Sequence, residues 1–324
     1  MATGKRPPHD QFLKEILSKP EHAAGVLRCV VSASLAARLD WSTLRLINGS
    51  YIEPDLKVSF SDLVFEVEAP GFGNALVYCL WENQTTENPM MPLRQLSYAS
   101  NALRQYRERP DVPRHCLPYV VPLLLYTGGK WTKARRLSEL CPLSALEDEP
   151  HLELRMEVLE LDRQQLDRFE EARAVIDATS RAALVAVTRG LSGSERGQRL
   201  SRLFLEVRST RGFGALRPFW EYIGEAYRQE LETIMSTMNP EMEHEARGFF
   251  DELRAEGEAK GLARGEALGR VQGEARGLLR QLKLKFGEPS LATQARVQGA
   301  SLEMLDRWVD RVLTATTLED VFGD

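Results

Sequence analysis

The sequence predicts an α/β fold followed by a mostly α-helical C-terminal region. Two stretches, ALVYCLWENQ (75–84) and LPYVVPLLLYTGG (117–129), are apolar, aromatic and β-branched runs, the second closed by glycines, and they read as buried strands. Between them, MPLRQLSYASNALRQYRE (91–108) has a helical period through Leu93, Leu96, Ala99 (or Ser100) and Leu103. Beyond RMEVLELD (155–162), one more strand-like segment, the chain turns helical to its end.

Taken in order, residues 9–38 read as helical, with Phe12, Leu13, Ile16, Val26, Leu27 and Val30 in phase and Pro20 as an interruption. STLRLINGSYIE (42–53) and LKVSFSDLVFEVEA (56–69) are strand-like, PGFGN (70–74) is a turn cluster, and ALVYCLWENQ follows as a third strand. Helix, three strands, helix and strand therefore fill residues 9–128. The expected divisions are 1–140 as the core, 141–255 as its mostly helical extension, 256–285 as a glycine-periodic helix or linker, and 286–324 as a small helical domain. In the third of these, Gly257, Gly261, Gly265, Gly269, Gly273 and Gly277 recur every fourth residue. Each costs about 1 kcal/mol against alanine inside a helix. Two readings stay open there: a helix whose glycine stripe packs closely on another helix, or a flexible charged linker. In the tail, Leu302, Leu305, Trp308, Val309 and Val312 share one helical face.

Bulk properties exclude several function classes. With 324 residues and 43% apolar content the chain has room for a sizeable core and about two domains. MATGKRPPHDQF has no apolar h-region, and no apolar run approaches the ~20 residues of a membrane span, so a cytoplasmic protein without membrane association is expected. Cys29, Cys79, Cys116 and Cys141 lie far apart among apolar neighbours, which predicts reduced, buried thiols and no zinc site. No nucleotide-binding fingerprint and no Ser-His-Asp arrangement is present. The net charge of −5 hides an asymmetry: residues 1–140 carry 17 Lys and Arg against 14 Asp and Glu, and the remainder 25 against 33. This permits a polyanion substrate at the front of the chain without arguing for one.

The chemistry is concentrated at the end of the third strand. Glu82 and Gln84 share a face with Tyr78 and Leu80, and an unpaired charge ending a core strand is costly. If residues 58–68 and 76–86 form a hairpin centred on Phe72, Asp62 falls directly across from Glu82, with Cβ atoms roughly 5 Å apart. Two facing carboxylates repel unless a divalent cation binds both, and a hard cation such as Mg²⁺ takes oxygen ligands of this kind. The pattern suits metal-assisted phosphodiester hydrolysis; solvated strand-end acids are the competing reading.

At these residues the chain resembles a known family. HDQFLKEIL, FSDLVFEV, LVYCLWENQ, MPLRQLSY and PYVVPLLLYTGG match, in order and spacing, the Rpn recombination-promoting nucleases, also described as YhgA-like transposases, within the PD-(D/E)XK nuclease superfamily. The resemblance covers roughly residues 8–135, and the C-terminal piece is similar to a small helical domain often appended to this family. It implies a restriction-endonuclease-like core (α-β-β-β-α-β, mixed sheet) and a DNA endonuclease that promotes recombination. By that resemblance Asp62 and Glu82 bind Mg²⁺, with Mn²⁺ as a substitute, and the Asn83 main-chain carbonyl is a third ligand. Gln84, where the superfamily has lysine, positions water by hydrogen bonding.

Further residues carry two readings each. Asp10 is either a further metal ligand or a helix N-cap. Arg94 and Tyr98, one turn apart, are placed to face the catalytic side, with Arg94 either contacting phosphate or standing in for the missing lysine charge, or else pairing with a core acid. Arg104, Arg107, Arg109 and Arg114 form either a phosphate-tracking patch or a solvated helix end. DNA and a second copy of the chain, held through the C-terminal helices, are the expected partners. The alternative functions are a catalytically inactive nuclease-fold assembly protein acting through its helical half, and an inhibitory or defence-linked partner.

Overall fold

A computed structural model describes residues 8–47, 63–71, 76–110, 117–142 and 151–323, with the side chains of Pro8 and of 76–84 excepted. Three helices open the chain: α1 (Pro8–Leu17), α2 (Pro20–Val30) and α3 (Ala33–Ala36). Pro20 stands at the first position of α2, where its missing N–H is not needed, so it divides the predicted helical stretch. Strands β1 (Asp40–Ile47), β2 (Leu63–Glu68) and β3 (Leu76–Gln84) follow, then α4 (Met91–Glu108), β4 (Tyr119–Tyr126) and β5 (Glu157–Glu160). The five strands form one sheet in chain order, with β1–β2–β3 antiparallel and β3–β4–β5 parallel.

Residues Val121–Tyr126 of β4 are all buried, as a strand covered on both faces requires. Pro122 falls just before the first β4–β5 pair, Leu123↔Glu157, where β4 has a partner on one side only and a lost donor is cheapest. Helix α4 has the predicted limits but turns a different face inward. Met91, Gln95, Ala99, Ala102 and Tyr106 are buried, whereas Leu93 is 45% exposed. The buried Gln95 amide donates to the Leu123 carbonyl at 3.3 Å, which lets a polar residue occupy the core-facing row.

The rest of the first compact unit, which ends at Ala246, is helical: α5 (Arg163–Glu171), α6 (Ala178–Val187), α7 (Gly193–Arg211), α8 (Arg217–Ala226) and α9 (Leu231–Ser236). Helix α6 is buried at every residue. Arg181 in it is held by Glu170 at 2.8 Å and Glu206 at 2.6 Å. The division between the units falls within α10 (Pro240–Phe286). The second unit, Arg247–Asp324, adds α11 (Leu291–Gln298), α12 (Leu302–Thr314) and α13 (Leu318–Phe322). Its core joins Leu278 and Leu282 to Leu305, Trp308, Val312 and Phe322, on the face that the tail's periodicity predicts. Cys29 and Cys141 are exposed, contrary to expectation, because apolar neighbours in sequence did not place them on the buried side of their elements. No described helix is long and apolar enough to cross a membrane.

Candidate active site

The carboxyl end of β3 presents Glu82, Asn83 and Gln84 in register with Leu124, Leu125 and Tyr126 of β4. On its other side β3 pairs with β2 from Leu63↔Trp81 to Glu68↔Leu76, the register of a hairpin centred on residue 72 that the sequence predicts. Asp62 and Arg114 lie outside the described residues, as do the side chains of Glu82, Asn83 and Gln84. Among the described residues no group of three or more His, Cys, Asp or Glu side chains could hold a metal ion.

What surrounds this strand end is well defined. Tyr126, the register partner of Gln84, is buried with its ring edge-on to Trp131, centroids 5.1 Å apart. A Cβ on Gly128 would collide with the Tyr126 hydroxyl and the Thr85 carbonyl, so this position needs glycine for the turn after β4 to close on the residue following Gln84. Glu87 accepts from the Thr132 N–H, and at 3.0 Å from its hydroxyl. The first of these bonds holds the Glu87 carboxyl below the usual carboxylate range. Burial, aided by Glu87 and opposed by Arg189, pushes the Tyr126 phenol up.

Helix α4 leads away from the same strand end. Arg94 Nε donates to the Tyr98 hydroxyl at 2.5 Å, so these two residues form one unit, partly buried. Arg104 is exposed and bonded to Asn101 at 2.8 Å, and Arg107 is exposed. Arg109 leaves the expected phosphate patch. It donates to both oxygens of Glu66, at 3.0 and 3.2 Å, and that carboxylate, 3% exposed, also takes Arg45 at 3.0 Å. A buried carboxylate needs such partners, which removes Arg109 from service on a ligand.

Helix α1 begins at Pro8, so Asp10 stands inside its first turn and not at the N-cap. Next to it, His9 Nδ1 is hydrogen-bonded to the Tyr222 hydroxyl, with the rings of Tyr222 and Tyr227 edge-on at 5.6 and 6.4 Å. Arg196, buried, lies 3.9 Å above the Tyr227 ring and donates to the carbonyls of Val185 and Thr188. Burial first, then the charges of Arg189 and Arg196, lower the pKa of His9 and favour neutral imidazole. Sequence reasoning missed Tyr222, Tyr227 and Arg196, because residues about two hundred positions from His9 leave no local pattern.

An α/β protein with an acidic strand end between an antiparallel and a parallel neighbour is the class that fold and site define. A family model described as "Putative transposase, YhgA-like" matches residues 7–191, more than half of the 324 residues, and the chain belongs to this family. It is 36% identical over 124 residues to the recombination-promoting nuclease RpnA of Escherichia coli (strain K12), covering 37% of this chain and 40% of that protein. Over 121 residues it is 33% identical to the inactive recombination-promoting nuclease-like protein RpnE of the same strain, covering 37% and 39%. Recombination-promoting nuclease RpnC of that strain is 31% identical over 121 residues, with the same coverage. The chain thus matches about two fifths of the length of these curated relatives. No solved structure matches it.

Proposed function

We propose that this protein is a metal-dependent DNA endonuclease with a restriction-endonuclease-like core, cutting phosphodiester bonds in a way that promotes recombination. The observation that carries the reading is the β2–β3 register: Leu63, bonded to Asp62, pairs with Trp81, bonded to Glu82. The sheet order supports it, since the acid-bearing strand end lies between antiparallel β2 and parallel β4.

The donor set fits a hard dication. Carboxylates of Asp62 and Glu82 and the main-chain carbonyl of Asn83 are all oxygen ligands, with Asp10 as a candidate fourth, and such a set suits Mg²⁺ or Mn²⁺ better than zinc. When bound, the ion would make a water acidic and offset charge on the phosphoryl group. Gln84 carries no charge, and its amide would orient the attacking water. Arg94 and Tyr98, bonded to each other, would steady substrate from α4, with Arg104 and Arg107 further along. Self-association through the C-terminal helices belongs to this reading because every residue from 251 to 270 is exposed.

The second reading, a catalytically silent nuclease-fold assembly protein, is favoured by the relative named inactive. Plasmid nicking by the purified protein with Mg²⁺ or Mn²⁺, against EDTA, separates them. We expect metal-dependent nicking that falls by at least about a hundredfold in both Asp62→Ala and Glu82→Ala, as loss of electrostatic stabilisation at a reacting phosphoryl group implies. A folded wild type that cuts nothing with any divalent ion establishes the silent reading.

A further inference from the structure

The loop after β4 carries four cations within residues 127–142, Lys130, Lys133, Arg135 and Arg136, against one acid, Glu139, in a chain of net charge −5. Its backbone is fixed from several sides. Trp131 N–H donates to Glu160 at 3.2 Å, Met156 N–H to the Arg135 carbonyl at 3.0 Å, and Leu137 N–H to the Leu154 carbonyl at 2.9 Å. Trp131 itself is buried beside Met91, Leu124 and Met156.

The nearby acids serve the loop. Glu87 takes Thr132 and lies 3.5 Å from Lys133, and Glu160 takes Arg135 at 2.5 Å. Glu139 accepts from the N–H groups of Arg135 and Arg136 at 2.8 and 3.4 Å. Lys130 and Arg136 are exposed and make no ion pair among the described residues. Arg136 also stands opposite Arg155 in an isolated antiparallel bridge, and like charges so placed are unfavourable until an anion shields them. Glu157, 3.7 Å from Arg155, offsets that only in part. Here the backbone that carries the cations is itself held by main-chain and acid contacts, and Lys130 and Arg136 stay exposed.

We propose that residues 127–137 form a ledge that binds the DNA phosphodiester backbone, with Lys130, Lys133 and Arg136 on phosphates. The assignment of DNA rests on the nuclease reading, because Gly128 ties the start of the ledge to Thr85, one residue beyond Gln84. The three cations stand every third residue. At ~3.5 Å per extended residue they are at most about 10 Å apart and about 20 Å end to end. Phosphates of one strand advance ~3.4 Å along the duplex axis, so the ledge spans at most about six of them. Contacts of this kind position a duplex without reading its sequence.

The test is fluorescence anisotropy of the full-length protein with a short labelled DNA duplex in EDTA, over a series of salt concentrations. Lys130→Ala/Lys133→Ala/Arg136→Ala is expected to bind at least about tenfold more weakly and to lose about 2 to 3 from the slope of log affinity against log salt. Its thermal melt stays with the wild type, since the three side chains are exposed. Arg168→Ala/Arg173→Ala, which removes two exposed arginines outside the loop, serves as the control and is expected to remain within about twofold of the wild type. A triple variant with wild-type affinity and slope, or a wild type that binds no duplex DNA at low salt, overturns the ledge. Tenfold tighter binding of an RNA duplex overturns the choice of DNA. A wild type that binds through the ledge yet does not cut with Mg²⁺ removes the nuclease reading and leaves the ledge standing.

Discussion

Gly25 in α2 and Gly197 in α7 differ sharply from the six glycines of the four-residue repeat in α10, although all eight lie within helices. A Cβ on Gly25 would stand 2.8 Å from the Ile176 Cα, and one on Gly197 3.0 Å from the Ile234 carbonyl carbon, with the carbonyl oxygen closer still. Those two glycines let neighbouring backbone approach. At each of Gly257, Gly261, Gly265, Gly269, Gly273 and Gly277 a Cβ would meet nothing within 4 Å. Residue type and helical setting are the same in both sets, and the neighbour decides what the glycine does. The repeat also limits what a partner could cover. Four residues on a 3.6-residue period drift about 40° per step, so six glycines turn through about 200° and cannot all face one straight helix.

The largest effect that would break this comparison is at Gly197. Gly197→Ala forces α7 away from α9 against main-chain atoms that cannot rotate aside, and overpacking of this kind costs about 1–3 kcal/mol. Urea unfolding of the full chain should show a lower midpoint with an unchanged slope. A midpoint equal to that of the wild type would mean that the close approach of Gly197 to Ile234 imposes no constraint.

The contact at Gly25 can be sharpened by charge. His22 Nδ1, in the same helix, lies 3.0 Å from Asp177, which also caps α6 through the N–H groups of Thr179 and Ser180. Burial would raise the Asp177 carboxyl, but hydrogen bonds from His22 and Ser180 outweigh it and hold the group below its ordinary value. A folded pKa below the unfolded ~3.9 stabilises the native state above that value, and the contribution disappears as pH falls through the folded pKa. Asp177→Asn keeps an oxygen for the cap and removes the charge. It should cost about 1–2 kcal/mol at neutral pH. The difference from the wild type should shrink below about pH 4, and urea midpoints across the acid range would show whether it does.

The same contrast between near and distant partners explains what the sequence could say. The β2–β3 register was legible because alternation and a turn cluster fix it between them, and a one-residue slip would turn every side chain over. The limits of α4 were legible; its buried face was not, because Gln95 is core-facing only by virtue of the Leu123 carbonyl. Arg94 and Tyr98 could be set side by side from their spacing of one helical turn, whereas the hydroxyl bonded to His9 comes from Tyr222, 213 positions away. The clamp on the 127–137 loop was hidden for the same reason, since Glu87 and Glu160 are 45 and 29 residues from Thr132 and Trp131. Separate in sequence, each of these is an ordinary surface acid.

The smallest expected effect is at the open glycines, and its sign is opposite to that at Gly197. Gly261→Ala/Gly265→Ala/Gly269→Ala adds methyl groups to empty space and removes backbone freedom from the unfolded chain, worth about 0.5–1 kcal/mol per site. Amide hydrogen exchange along 251–270 should slow in the variant, while the urea midpoint of the first unit stays where it is. Light scattering on the same samples decides what the stripe is for. If two or three of these glycines seat a second copy of the chain, the added methyls hold the backbones apart, the mass falls, and exchange quickens through loss of the partner. Slower exchange at unchanged mass means that the glycines serve no interface, and that α10 is a helix held below its attainable stability along a stretch no partner covers.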